Sequence, residues 1–223
     1  MFACTACKIL ETVIATDLLE FLSSHKLLSK QQHGFLKKHS TVTNLLESVN
    51  DWTISCINKK SVVIGYVDFQ RAFDVISHKK LIHKLNSYGI SGNLLYWINA
   101  FISNRMQCVR ISNTLSTWLP VSSGVPLGFV LGPLLFNLFI NDICDKFTPN
   151  ISAKLFADDV KIYTEITDFN SQQAFQTHLD IIQKWSILWQ LPISYSKCNI
   201  LIVNEIKNNK DQYIFNSTPI CKY

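Results

Sequence analysis

Three aspartates are the residues in this sequence whose types and positions best suit catalysis. Asp158 and Asp159 are adjacent in the segment KLFADDVKIY, with apolar residues on both sides. Asp68 stands near the end of a second apolar run, SVVIGYVDF, which begins at Ser61. Adjacent like charges in an apolar, strand-like segment are unfavourable unless something offsets them. A bound cation is one such offset.

The chemistry of these aspartates depends on whether the two segments are neighbouring strands. If they are, three carboxylates converge at one end of a sheet and take up protons unless a cation neutralises them. Oxygen-only ligation favours Mg²⁺ or Mn²⁺ over zinc. Two such ions can activate an attacking hydroxyl and stabilise a leaving phosphate oxygen. The alternative is that Asp158 and Asp159 simply form a polar hairpin turn, for which aspartate is well suited.

Composition bounds the class of protein. With 223 residues, 48% of them hydrophobic and 17% charged, the chain suits one large domain or two small ones and is not a disordered protein. A formal charge of +5 permits a polyanionic partner without requiring one. Seven scattered cysteines and the absence of an evident secretory signal predict an intracellular protein of the nucleus or cytoplasm, not a secreted one.

The most apolar segment, GVPLGFVLGPLLFNLFI, runs from Gly124 to Ile140. It only just reaches the minimum of about 17 residues for a membrane span, and it contains Pro126, Pro133 and three glycines. Buried core is therefore the better interpretation, and we expect no membrane association.

Hydrophobic periodicity predicts the elements that would position the aspartates. Ser40 is a candidate N-cap of a helix with apolar residues on one face, whereas the connection before it, QQHGFLKKHS, is either a phosphate-contacting or a solvated loop. The predicted helices are Thr12–Ser24, the one after Ser40, Ser77 or His78 to about Gly89, Leu94–Ile102, Pro133 to about Asp145, and Ser171–Gln190. The predicted strands are Ser61–Phe69, the hairpin of MQCVRIS with STWLPVS, the hairpin around Asp158 and Asp159, and Asn199–Val203. This order predicts an α+β domain with an antiparallel sheet of the split βαβ (ferredoxin-like) type and helices packed on one face.

Four motifs in order resemble the reverse transcriptase domain of non-LTR (LINE-type) retrotransposons. YVDFQRAFDVISHKKLIHKLNSYGI is similar to the first palm motif, SSGVPLGFVLGPLLFNLFINDI to the second, FADD to the third and WQLPISYSKCNILIV to the fourth. Upstream, CKILETVI and QQHGFLKKHSTVTNLL resemble part of the fingers. The resemblance implies a right-hand polymerase palm with partial helical fingers.

The resemblance also implies roles for individual residues. Asp68 and Asp158 would hold two Mg²⁺ or Mn²⁺ ions, with Asp159 more peripheral and the Phe69 carbonyl completing the coordination. Phe73 falls at the position of the aromatic under the nucleotide sugar, although it also suits an ordinary core. The remaining implied residues are Leu127, Gly128 and Lys197 for the nucleotide, and Gly124 and Pro126 for the template–primer duplex.

Two departures from the family pattern bear on activity. The second motif normally has glutamine and serine where this chain has Leu127 and Phe129, and leucine can neither donate nor accept a hydrogen bond. The chain also begins just before CKILE, so we expect segments of the fingers, the thumb and the endonuclease of a parent element to be missing. The predicted organisation is partial fingers over 1–60, a palm over 61–203, and the start of a thumb or a disordered tail over 204–223.

The function that follows is RNA-directed DNA synthesis by nucleotidyl transfer, with an RNA template, a DNA primer and deoxynucleoside triphosphates as partners. One alternative is a decayed element fragment that at most binds nucleic acid. Another is a different enzyme on the same palm, such as a nucleotide cyclase, against which the segment from Gly124 to Pro133 argues.

Overall fold

The computed structural model describes residues 5–204, 213–215 and 217–222. The helices in these residues are α1 (Thr5–Ser24), α2 (Thr41–Ile57), α3 (Ala72–Val75), α4 (His78–Ser87), α5 (Gly92–Ile102), α6 (Leu131–Ile140) and α7 (Phe169–Trp189), with 3₁₀ helices at Asn141–Lys146 and Tyr195–Lys197. The strands are β1 (Ser61–Val67), β2 (Met106–Gln107), β3 (Arg110–Ile111), β4 (Thr114–Leu115), β5 (Leu119–Pro120), β6 (Ser152–Phe156), β7 (Asp159–Ile166), β8 (Asn199–Val203), β9 (Ile214–Phe215), β10 (Thr218–Pro219) and β11 (Cys221–Lys222).

The chain forms two compact units. The first comprises Met1–Leu27 and Arg71–Phe139, and the second comprises Leu28–Gln70 and Ile140–Tyr223. The range 204–223, expected to be a thumb start or a tail, contains β9, β10 and β11, while 205–212, 216 and 223 lie outside the described residues. The assignment of ranges to fingers, palm and thumb stays a prediction.

The second unit is built on a five-stranded sheet in the order β11-β8-β1-β7-β6. β1 is central and pairs antiparallel with both β7 and β8, β6 pairs antiparallel with β7, and β11 pairs parallel with β8. Nearly every residue of β1 is buried, as its uninterrupted apolar sequence predicts. The paired segments around Asp158 and Asp159 form the predicted hairpin, and β8 has the predicted bounds.

Each face of this sheet carries a helix, so the prediction that helices pack on one face was wrong. Successive residues of a strand point to opposite faces. Ile64 packs with Trp52 of α2 on one face, whereas a Cβ on the next residue, Gly65, would lie 3.1 Å from the ring of Phe175 in α7. Because both faces of β1 are apolar, each is buried from solvent by a helix, α2 on one face and α7 on the other.

Helix α2 presents mainly polar residues to the sheet, together with the partly buried Trp52. Ser40 caps its N-terminus as predicted, but the buried residues of α2 are Asn44, Ser48 and Ser55. The apolar residues of its other face are exposed: Val42, Leu45, Leu46 and Val49 at 42–63%. Polar partners on the sheet stabilise this orientation, since Asn44 accepts a hydrogen bond from the Lys161 ammonium at 2.9 Å.

The first unit is mainly helical. Ser77 caps α4, and Gly89 follows it with a φ of +87°, the left-handed conformation predicted for a helix end. β2 pairs with β5 and β3 with β4, which gives the predicted hairpin. Glu11 of α1 is buried, and its carboxylate accepts hydrogen bonds at the start of α6, from the amides of Val130 and Leu131 at 2.8 and 3.0 Å.

The most apolar segment of the sequence folds as a loop followed by α6. Leu131, Leu135, Phe136 and Phe139 are fully buried, which confirms the prediction of core. In the described part of the chain, no helix combines the length and the apolar character needed to cross a membrane.

Candidate active site

Strand register brings Asp68 and Asp159 to the same end of two paired strands. Val67, the last residue of β1, lies opposite Val160 of β7. Asp68 follows Val67 and Asp159 precedes Val160, so the two aspartates occupy the next positions on facing strands. Asp158 lies in the turn that leads into β7. The two aspartate-bearing segments are therefore neighbouring strands, as the sequence analysis required.

The surroundings of the paired aspartates disfavour their charged forms. Burial, followed by the charge of Asp68, raises the pKa of Asp158 above its ordinary value. Burial, then the charges of Asp158 and Asp68, raises the pKa of Asp159, although this side chain is the more exposed of the two. Lys197 opposes both increases. The three carboxylates thus form one electrostatically coupled group.

Lys197 is the cation paired with Asp68. Its Nζ lies 3.6 Å from Asp68 Oδ1, an oxygen that is buried and accepts no hydrogen bond within the described structure. The backbone segments that carry the two residues are also hydrogen-bonded, because the Ser194 amide donates to the Asp68 carbonyl at 2.8 Å. The lysine side chain is 68% exposed, so its ammonium remains available to a ligand.

A cavity of about 390 Å³ opens beside Asp68 and Asp159. Its walls come from β1, β6, β7, α2 and the 3₁₀ helix Tyr195–Lys197, and they include three lysines: Lys154, Lys161 and Lys197. Burial lowers the pKa of Lys161 to about 8, with a smaller contribution from Lys154. The cavity therefore combines carboxylates at its rim with basic groups in its walls.

The carboxylates are chemically suited to hard divalent cations. They provide oxygen ligands only, the Asp68 Oδ1 atom has no hydrogen-bond donor among the described residues, and burial together with mutual repulsion raises the pKa of Asp158 and Asp159. Among the described residues, no three histidine, cysteine or acidic side chains are clustered tightly enough to form a ready-made metal site. The donors fit a divalent cation in kind and in charge.

Phe69 contributes a buried side chain and a backbone group. Its ring is 2% exposed and lies 6.0 Å from that of Trp185. Phe69 lies opposite Ile193 in a short antiparallel pairing. The hydrogen bonds of this pairing are made by its neighbours: the Asp68 carbonyl accepts from the Ser194 amide, and the Gln70 amide donates to the Pro192 carbonyl. The Phe69 carbonyl is thus left out of this short ladder.

The other predicted site residues belong to the first unit. The ring of Phe73 is partly buried and stacks on Phe136 at 4.2 Å between centroids. Gly124 has a φ of +83°, and a Cβ there would lie 2.6 Å from the Asp74 carbonyl oxygen, so only glycine fits. The remaining residues of this loop are Pro126, which is buried, and Leu127 and Gly128, which are exposed.

Sequence reasoning missed residues that contact the aspartate-bearing hairpin from outside the motifs. Gln32 and Gly34 contact Ala157, the residue before Asp158. The sequence analysis described QQHGFLKKHS as a loop and noted its resemblance to part of the fingers, but neither signal placed Gln32 or Gly34 next to Asp158. The lysines of the cavity wall, Lys154 and Lys161, carried no signal beyond flanking the aspartates.

The fold is similar to that of solved telomerase structures. An apo telomerase from Candida tropicalis truncated from its C-terminal domain matches 91% of this chain with a TM-score of 0.65 and 11% identity, over 42% of that chain. A telomerase from Candida albicans in complex with a fragment of telomeric RNA matches 96% of this chain with a TM-score of 0.59 and 14% identity, over 36% of that chain.

The chain belongs to the reverse transcriptase (RNA-dependent DNA polymerase) family, whose model matches residues 1–217. It is 30% identical over 206 residues to the RNA-directed DNA polymerase from the mobile element jockey of Drosophila melanogaster, covering 88% of this chain and 22% of that protein. It is 26% identical over 203 residues to the probable RNA-directed DNA polymerase from transposon BS of the same species, covering 85% of this chain. The resemblance to reverse transcriptases of non-LTR elements is confirmed. The chain spans about a fifth of the length of these relatives.

Proposed function

We propose that this chain is the palm, with part of the fingers, of an RNA-directed DNA polymerase that extends a DNA primer on an RNA template. The five-stranded sheet would be the palm sheet of split βαβ type. The observation that carries the proposal is the strand register that sets Asp68 and Asp159 at the same end of β1 and β7, with Asp158 in the adjoining turn.

Asp68 and Asp158 would hold two Mg²⁺ or Mn²⁺ ions, with Asp159 and the Phe69 carbonyl as further oxygen ligands. When bound, these ions would supply charge neutralisation at the phosphate and a lowered pKa for the attacking hydroxyl. The chain's own residues would do the remaining work. The coupled carboxylates would repel other anions, and Lys197 would contact a phosphate oxygen or donate a proton to departing pyrophosphate.

The first unit would supply the contacts with nucleotide and duplex. Phe73 would lie under the sugar of a deoxynucleoside triphosphate and exclude a 2′-hydroxyl. Leu127 and Gly128 would face the nucleotide, while Gly124 and Pro126 would shape the loop against the template–primer duplex. Their support is the rigid loop geometry, in which the Gly124 carbonyl accepts hydrogen bonds from Arg105 and from the His78 ring at 3.0 and 2.8 Å.

Primer extension tests this function. The purified chain, an RNA template with a DNA primer, deoxynucleotides and Mn²⁺ should give extended primer, and Asp158→Ala should abolish the product. Asp17→Ala, at an exposed position on α1, is the matched control and should extend as the unaltered chain does. Primer extension by the Asp158→Ala variant would overturn the proposal, and so would the absence of extension by the unaltered chain with both Mn²⁺ and Mg²⁺.

The second candidate, a fragment that at most binds nucleic acid, is motivated by Leu127 and Phe129. Leu127 is 58% exposed and offers no hydrogen bond where a polar contact with nucleotide is expected. If the chain binds template–primer but does not extend it, this reading replaces the first. Recovery of extension in the Leu127→Gln, Phe129→Ser double variant would show that the two side chains limited an otherwise competent site.

A further inference from the structure

A segment outside the four motifs lies against the aspartate-bearing hairpin. The Leu155 amide of β6 donates to the Gln31 carbonyl, and the His33 amide donates to the Leu155 carbonyl, both at 2.8 Å. These bonds form a short parallel pairing between Gln32 and Leu155. The edge of β6 is thereby held next to its turn.

The side chain of Gln32 reaches the turn itself. Its Oε1 accepts hydrogen bonds from the amides of Ala157 and Gly34, at 3.0 and 2.7 Å, and its Nε2 donates to the Ala157 carbonyl at 3.3 Å. Gln32 is 3% exposed, so water does not compete for these groups. One amide side chain thus bonds both the amide and the carbonyl of Ala157.

Ala157 is the residue whose conformation sets the turn. Its φ is +56°, in the left-handed region that L-residues rarely adopt. The segment also packs tightly here, because a Cβ on Gly34 would lie 2.3 Å from the Ala157 nitrogen. The strained conformation of Ala157 is held by the Gln32 bonds on one side and by close backbone packing on the other.

We propose that Gln32 is a positioning residue for Asp158 and Asp159, because its bonds to Ala157 fix the turn from which both aspartates project. The inference rests on the proposed catalytic role of those aspartates. Without Gln32, a buried amide and a buried carbonyl would lose their partners, and the turn would relax to find others. A displacement of about 1 Å at a reacting group can cost on the order of a hundredfold in rate.

The test compares Gln32→Leu with Gln31→Leu in the full chain. Both substitutions replace a glutamine side chain, and the two residues are adjacent. Gln31 contacts β6 through its backbone carbonyl, whereas Gln32 contacts the turn through its side chain, so only Gln32→Leu removes a bond to the turn. In Gln32→Leu we expect kcat to fall by about ten- to a hundredfold, with the KM for deoxynucleotide changed by less than about threefold. Mn²⁺ affinity, measured by electron paramagnetic resonance without substrate, should fall severalfold. Gln31→Leu should match the unaltered chain in all three quantities.

Several outcomes would overturn the role of Gln32. Unchanged kcat and Mn²⁺ affinity in Gln32→Leu would do so, and so would equal losses in both glutamine variants. If Gln32→Leu does not fold, amide hydrogen exchange on the unaltered chain is the test. The Ala157 amide should be protected from exchange by its hydrogen bond to Gln32, and rapid exchange of that amide would refute the role of Gln32.

Asp158→Ala separates this inference from the proposed function. If Asp158→Ala changes neither extension nor Mn²⁺ affinity, the catalytic assignment fails and the role of Gln32 fails with it. If Asp158→Ala abolishes extension and weakens Mn²⁺ binding while Gln32→Leu does neither, only the role of Gln32 fails.

Discussion

Lys197 Nζ lies 3.6 Å from Asp68 Oδ1 and is the cation paired with that buried oxygen in the described structure. Lys197 is the last residue of the short 3₁₀ helix Tyr195–Lys197, and the amide of Ser194, just before this helix, donates to the Asp68 carbonyl. Side-chain and backbone contacts therefore join the same two segments. An exposed ammonium at this position lowers the repulsion among the carboxylates and is able to leave when a more highly charged cation arrives.

Lys197→Met should tighten Mn²⁺ binding while slowing extension. Removal of one positive charge beside Asp68 favours a divalent ion, and an exposed pair of this kind contributes at most about 1 kcal/mol, or roughly fivefold in affinity. Extension should fall because the phosphate contact that we propose for Lys197 would be lost. Lys184→Met, on the exposed side of α7, is the control, and weaker Mn²⁺ binding in Lys197→Met would contradict the assignment.

Asp158→Asn should raise thermal stability while abolishing extension. The pKa of Asp158 is raised in the folded chain, so its charged form is disfavoured there and the neutral amide relieves that cost. At pH 7 we expect a higher midpoint, by about 2–4 °C if the relief is near 1 kcal/mol. The difference in midpoint between the two chains should vanish below pH 3.8, the ordinary pKa of an aspartate, because the Asp158 carboxyl is then protonated in both the folded and the unfolded chain.

Calorimetry on both chains between pH 3 and 7 measures this difference. A midpoint that falls at pH 7 would show that the carboxylate is stabilising rather than strained. Asp17→Asn, at an exposed position on α1, should leave the midpoint unchanged.

The stability of the chain should fall as the pH is lowered below 6.5, because of His33. Burial lowers the pKa of His33 from its ordinary 6.5, and this outweighs the attraction of Glu47. The unfolded chain then binds more protons than the folded chain below pH 6.5, so the free energy of unfolding decreases with falling pH. A difference of one bound proton changes the free energy of unfolding by about 1.4 kcal/mol per pH unit, which is the upper limit for this residue.

Urea denaturation of the unaltered chain and of His33→Gln measures the contribution. Between pH 6.5 and 5, the free energy of unfolding of His33→Gln should change less with pH than that of the unaltered chain. His25→Gln, at an exposed ring, should reproduce the unaltered curve, and identical curves for all three chains would contradict burial as the cause.

Leu127→Gln should improve use of deoxynucleotides at little cost in stability. Leu127 is 58% exposed, so the change sacrifices little packing. A glutamine at this position can offer a hydrogen bond that leucine lacks, which we expect to lower KM or raise kcat by roughly tenfold. Steady-state extension kinetics check this, with Leu119→Gln, which is 59% exposed, as the control for added polarity.

The elements with strong local signals were predictable from the sequence. The strand NILIV, the caps at Ser40 and Ser77, and the left-handed Gly89 each depend on nearby residues alone. The convergence of Asp68 with Asp159 was predictable because both stand at strand ends, where pairing leaves few possible arrangements.

The orientation of α2 and the contacts of Gln32 were not predictable in this way. The apolar stripe of α2 faces away from the sheet because the polar side of the helix finds partners on the sheet. The Asp51 carboxylate of α2, for example, accepts a hydrogen bond from the Tyr163 hydroxyl of β7 at 2.6 Å. Gln32 and Ala157 are separated by 125 positions. No periodicity in a single sequence encodes a bond between residues so far apart.

Strand β11 has a practical consequence for any shortened version of this chain. Its two residues, Cys221 and Lys222, cover the outer edge of β8 opposite Asn199 and Ile200. A truncation after Val203 would leave the outer main-chain groups at Asn199 and Ile200 unpaired, and an uncovered strand edge of this kind recruits strands from other molecules. Retention of the last residues should therefore decide whether a recombinant preparation stays dispersed or precipitates.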